Sequence, residues 1–243
     1  MSVETNEMGF LDHLEELRWR IVKILVALIT GTALSFGFID PIIQFLKEPA
    51  AQASQTIRFQ TLTVQGMFLV KWFIAIFSGF VLSMPVTIYQ IWRFVSPGLR
   101  VNEKKYIIPV VFFSFTSFIV GASFGYYVLV PFSLEFFSSM GQGIVENNYS
   151  ISYYFSFLGW LIIGSGLLFQ MPVVSLLLSA IGVLTPPFMR HYRRHSIVVI
   201  LILSSFITPP DPVSMLIMSA PLMVLYEISI WVSWIVNYRR EPV

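Results

Sequence analysis

Two stretches of this chain, Tyr106 to Val130 and Ser152 to Val183, contain no Asp, Glu, Lys or Arg. About 20 apolar residues, rising 1.5 Å each in a helix, cross the roughly 30 Å hydrocarbon core of a bilayer. Inside that core every backbone N–H and C=O needs a partner within the protein, and a helix supplies one residue by residue. Ile21 to Ile39 has only Lys23 near its start, and Met67 to Phe94 carries Lys71 just inside its beginning, so both read as further spans. Composition agrees. Only 12% of residues are charged and 56% are hydrophobic, against about 25% charged in soluble domains. Such a surface suits lipid, and the water-soluble enzyme classes drop out. The absence of cysteine excludes disulfides, thiol nucleophiles and Cys-ligated metals.

The prolines divide these runs. Pro85 is expected to kink the long second span, Pro131 to end the third, and Pro172 lies within the fourth. The C-terminal third is less regular. Ile197 to Ile207 is too short to cross a normal core. The break Thr208-Pro209-Pro210-Asp211-Pro212 follows, and Val213 to Val236 is interrupted by Glu227. A re-entrant hairpin is one reading. Two crossing helices, the first extended by the basic segment before it, is the preferred one. The expected architecture is an all-α polytopic membrane protein, one integral domain over residues 1–243. An amphipathic segment at 1–20 precedes six spans at about 21–39, 67–94, 106–130, 152–183, 194–208 and 213–236. The acidic N-terminus lacks the basic region of a cleavable signal, so the first span is expected to remain.

Positive charge orients the spans. All of the 15 Lys and Arg except Lys47, Arg58 and Lys71 fall at one end of these helices. That end is expected to be cytoplasmic, with both termini there. Small residues recur every four positions at Ala27, Gly31 and Ser35, and at Ser117, Gly121 and Gly125. This spacing lets helix backbones approach closely. It is read as intramolecular packing, with a dimer seam as the alternative.

Candidate chemistry is sparse. His191 and His195 sit four apart, but among Arg190, Arg193 and Arg194, which repel a cation. They read as a basic membrane-surface segment. No cofactor, metal or catalytic residue is expected, and a net charge of +2 gives no sign of a nucleic-acid partner. Polar groups inside spans are default site candidates: Glu227 first, then Gln170. A proton- or ion-coupled small-solute transporter using Glu227 is the alternative function. On a helical wheel Phe10, Leu11, Leu14, Leu17 and Ile21 share one face, and Asp12, Glu16 and Arg20 share another. That pattern fits an interfacial helix whose polar face is solvated or receives a ligand.

Several motifs carry a family resemblance. His13-Leu-Glu-Glu-Leu-Arg18 resembles the opening motif of TatC proteins, the multispanning subunits of the twin-arginine protein translocase. Pro85 to Leu99 followed by Glu103-Lys-Lys is similar to that family's first cytoplasmic loop. Thr208-Pro-Pro-Asp211, Pro221 and Glu227 are similar to its last hairpin. The resemblance implies a receptor for twin-arginine signal peptides that exports folded proteins on the proton-motive force. It implies a peptide site at Glu16 and Glu103 with Phe94, and Glu15, Arg18 and Leu99 nearby. Asp211, Gln170 and Glu227 become polar or partner-facing positions, and Pro85 and Phe68 structural ones. It also implies single-span TatA- and TatB-type partners, an oligomer in the cell inner membrane, and short fifth and sixth helices forming a concave intramembrane face. Gln170 stands where the family often has glutamate. The segment Thr61 to Phe68 lacks a proline and a glutamate that many relatives carry.

Overall fold

The computed structural model describes residues 10–53, 57–95, 107–140 and 148–238. Nearly all of them are helical. Helix α1 is Phe10–Gly37 and α2 is Ile39–Ala51; a short strand β1, Arg58–Gln60, leads to α3, Gly66–Val95. Helix α4 is Ile107–Phe124, followed by a π-helical turn Gly125–Leu129 and α5, Val130–Met140. Strand β2, Asn148–Ser150, precedes α6, Ile151–Leu168, and α7, Met171–Ala180. Then come α8, Pro186–His191, α9, Arg193–Ile207, and α10, Pro212–Tyr238.

Among the described residues, five stretches are long and apolar enough to cross a membrane: Leu11–Gly37, Gly66–Val95, Ile108–Met140, Ile151–Ala180 and Pro212–Tyr238. The chain is therefore an all-helical, multi-span membrane protein. Large apolar side chains such as Ile29, Phe112, Phe206 and Trp231 point outward, where lipid is their solvent. The inner core lies between α3, α4 and α6, around Ile74, Phe118, Phe155, Leu158 and Leu161.

The expected stop at Pro131 does not occur. The helix runs on to Met140 because the turn just before the proline is widened: Val130 N–H donates to the Gly125 carbonyl, five residues back. A π-turn makes room for the pyrrolidine ring and absorbs the donor that proline lacks. The fourth apolar run is two helices. It breaks at Phe169 and Gln170, and Pro172 falls in the first turn of α7, where its missing N–H costs nothing. Helix α7 ends on Gly182 at φ 84°. Gly182 N–H donates to the Ser179 carbonyl and Val183 N–H to that of Leu178, which satisfies the last turn.

The α1–α3 crossing is the most extensive helix contact. Gly31 and Gly79 meet there; a Cβ on Gly79 would lie 2.5 Å from the Thr32 backbone nitrogen. The second small-residue row also packs within the chain. A Cβ on Gly121 would lie 2.8 Å from the Ser165 carbonyl oxygen of α6, and the Ser117 hydroxyl donates to the Phe169 carbonyl at 2.6 Å.

At the end of the bundle away from most of the basic residues, α2 buries Ile39, Ile43, Leu46 and Ala50. Strands β1 and β2 pair in parallel, Phe59 opposite Tyr149. Pro49 inside α2 cannot donate to the Phe45 carbonyl. The Tyr126 hydroxyl donates to it instead, at 2.6 Å, and the Tyr154 hydroxyl donates to Leu46 at 2.7 Å. Tyr126→Phe is expected to cost about 1–3 kcal/mol by leaving that carbonyl without a donor. Amide hydrogen exchange in α2 should accelerate while α3 and α6 stay protected.

Candidate functional site

The wheel drawn from the sequence has its faces right, and the apolar one is turned outward, where an interfacial helix meets lipid. In the first turns of α1 the apolar residues point out, with Leu11 77% exposed, and Arg20 is only 9% exposed. The polar face is turned against α3 rather than solvated. The reason is the close crossing at Gly31 and Gly79, which holds the whole length of α1 beside α3.

At the basic end this produces a compact polar site. The Arg20 guanidinium hydrogen-bonds the Glu16 carboxylate one turn before it, and also donates to Gln90 Oε1 of α3 at 3.4 Å. His13 Nδ1 lies 3.5 Å from the second Glu16 oxygen. The His13 imidazole is stacked on the Phe94 ring at a centroid distance of 4.3 Å and 14° between planes. Glu16 precedes the apolar run that starts at Ile21. The Arg20 hydrogen bond holds its carboxyl below the usual carboxylate value, with burial opposing. Glu16 is thus ionised at neutral pH. Its Oε2 is closed off from solvent and accepts no hydrogen bond among the described residues, and Arg20 Nε is likewise without an acceptor.

Glu16 and Phe94 are therefore joined through His13. Glu15 and Arg18 are not part of that cluster. They are exposed and pair with each other at 3.3 Å, Arg18 also lying 5.5 Å from the Trp19 ring. Leu99 and Glu103 lie outside the described residues. Gln90, Arg20 and His13 complete the site. The sequence puts Arg20 on the same helix face as Glu16, but a contact from α1 to Gln90 or Phe94 has no local signal.

The remaining candidates are spread over the molecule. Gln170 donates to the Ser114 carbonyl at 2.9 Å and ties the α6–α7 break to α4. Asp211 is 2% exposed and caps α10, its Oδ1 accepting from Ser214 N–H at 2.6 Å. Asp211 Oδ2 has no partner among the described residues. Glu227 accepts from Arg193 of α9 at 2.7 Å, both side chains half-exposed. Lys71 donates to Asp40 at 2.9 Å. Pro85 sits inside an unbroken α3. Phe68 is mostly exposed and edge-on to Trp72 at 6.3 Å. Among the described residues no group of three or more His, Asp or Glu is gathered as a metal site.

A bundle of membrane-crossing helices with a carboxylate, an imidazole and an aromatic ring gathered at one rim defines a polytopic membrane protein. Comparison with known proteins gives the particular family. Residues 12–221 match the model for "Sec-independent protein translocase protein (TatC)". The chain is 37% identical over 235 residues to the TatC protein of Halalkalibacterium halodurans, covering 96% of this chain and 92% of that one. It is 37% identical over 232 residues to TatCy of Bacillus subtilis, covering 95% and 91%. The solved structure "Crystal Structure of Twin Arginine Translocase Receptor- TatC" superposes with a TM-score of 0.78 at 31% identity, over 93% of this chain and 99% of that one. The same receptor solved in DDM gives 0.80 at 32% identity, over 90% and 98%. The chain belongs to the TatC family. It is a protein-transport subunit, not an enzyme.

Proposed function

We propose that this chain is the receptor core of a twin-arginine translocase. It takes the paired arginines of a signal peptide at the basic rim and, driven by the proton-motive force, exports folded cargo. The observation that carries this reading is Glu16, an ionised carboxylate fixed by Arg20 beside the Phe94 ring. A guanidinium is planar, matches a carboxylate in two parallel hydrogen bonds and stacks on aromatic faces; an ammonium does neither well. Most of the surrounding charge is positive, which repels an arginine peptide everywhere except at such a carboxylate. Glu103 supplies the second carboxylate, Leu99 and Phe94 the apolar border, and Glu15 and Arg18 a secondary exposed pair.

The basic rim is cytoplasmic, with both termini on that side of the inner membrane. Six crossings are completed by α8 and α9. Helix α9 has 15 residues, about 22 Å at 1.5 Å each, so the bilayer thins beside it and the intramembrane face is concave. Single-span TatA- and TatB-type subunits dock near α9 and α10, where Asp211 and Glu227 lie, with Gln170 at the neighbouring α6–α7 break. The assembly is oligomeric.

The test is a photoreactive residue in place of Phe94 in vesicles with outward cytoplasmic faces. A twin-arginine signal peptide is expected to crosslink there and its twin-lysine counterpart not to. Crosslinking instead to a probe at Phe59, at the opposite end, overturns the reading.

A further inference from the structure

The slot between Phe94 and the free Glu16 oxygen is already filled. His13 presents a flat ring, stacked 4.3 Å from Phe94 and 14° from parallel, with a nitrogen 3.5 Å from Glu16 Oε2. A planar nitrogen-bearing group, flat on an aromatic face and edge-on to a carboxylate, is the pose a bound guanidinium takes. Among the described residues no other group uses that oxygen: Arg20 holds the other one, and Oε2 is sealed from solvent.

We propose that His13 is a resident stand-in for the ligand's guanidinium, and that a signal arginine binds by displacing the imidazole from Phe94 and Glu16 Oε2. This rests on the receptor reading above. Arg20 is the positioning residue: it keeps Glu16 oriented and ionised through the exchange. The His13 side chain is the part free to leave, since it is two-fifths exposed while that of Arg20 is nearly buried and also holds Gln90.

The experiment measures the affinity of a synthetic twin-arginine signal peptide for the full chain in nanodiscs at neutral pH. His13→Ala and His13→Asn are expected to bind at least threefold more tightly than wild type. Weaker or unchanged binding in both variants overturns the proposal. Glu16→Gln separates the two readings. If it leaves affinity unchanged the receptor site itself is misplaced. If it weakens binding while the His13 variants do not tighten it, only the stand-in fails.

Discussion

Glu16→Gln is expected to weaken twin-arginine peptide binding by ten- to a hundredfold. A hydrogen bond to a charged partner contributes about 1.5–3 kcal/mol, and each 1.4 kcal/mol is about a factor of ten in affinity. Glutamine keeps the shape and can still accept from Arg20, so the loss reports charge rather than packing. Reversing charge is harsher. Glu16→Lys combined with Glu103→Lys should remove measurable binding altogether, and binding that survives it would sink the receptor site. The double variant also puts a cation beside Arg20, which is 9% exposed. Leaving a buried charge uncompensated costs about 3–5 kcal/mol, so its folded state must be checked by thermal melting. Arg20→Gln isolates the other half of the pair. Glu16 then loses the hydrogen bond that keeps it ionised, and peptide binding should fade earlier as pH drops towards the ordinary carboxylate range.

The second large effect lies away from the rim. Gly79→Val is expected to prise α1 from α3. A Cβ at this position would stand 2.5 Å from the Thr32 nitrogen and 2.7 Å from its Cα. Both are backbone atoms and cannot rotate aside. Overpacking ordinarily costs about 1–3 kcal/mol, and the upper end applies where backbone must move. The melting temperature should drop. Peptide affinity should drop with it, because the same crossing keeps Arg20, which holds Glu16, against Gln90 of α3. Gly37→Ala is the matched control. Nothing lies within 4 Å of a Cβ there, so neither stability nor affinity should fall. Equal behaviour of the two variants would show that the crossing is not what holds the rim together.

How far the sequence carried the reading depends on the kind of signal. The apolar runs were plain, because lipid tolerates almost no charge across its depth and Tyr106 to Val130 has none. The spacing of Gly31 and Ser35 likewise announced a close helix contact. Hydropathy does not record hydrogen-bond register, so it could not see the widened turn before Pro131 or the break at Gln170. Helix α2 was legible and missed: Ile39, Ile43, Leu46 and Ala50 fall at helical intervals along one face. The pairing of β1 with β2 was not legible, since three-residue strands so far apart in the chain leave no pattern. Within the site, Glu16 and Phe94 came from motif likeness. The arrangement that joins them depends on how α1 lies on α3, and a wheel drawn for one helix cannot tell which face meets a neighbour and which meets lipid.

The ion pair between Arg193 and Glu227 sets a ruler along the last hairpin. From Asp211 at its bend to Glu227 is a little over four turns of α10, about 24 Å at 1.5 Å per residue, and a carboxyl group stands at each mark. That spacing falls short of the roughly 30 Å hydrocarbon core of an ordinary bilayer, so the two carboxyl groups of this hairpin stand closer together than two opposite membrane surfaces.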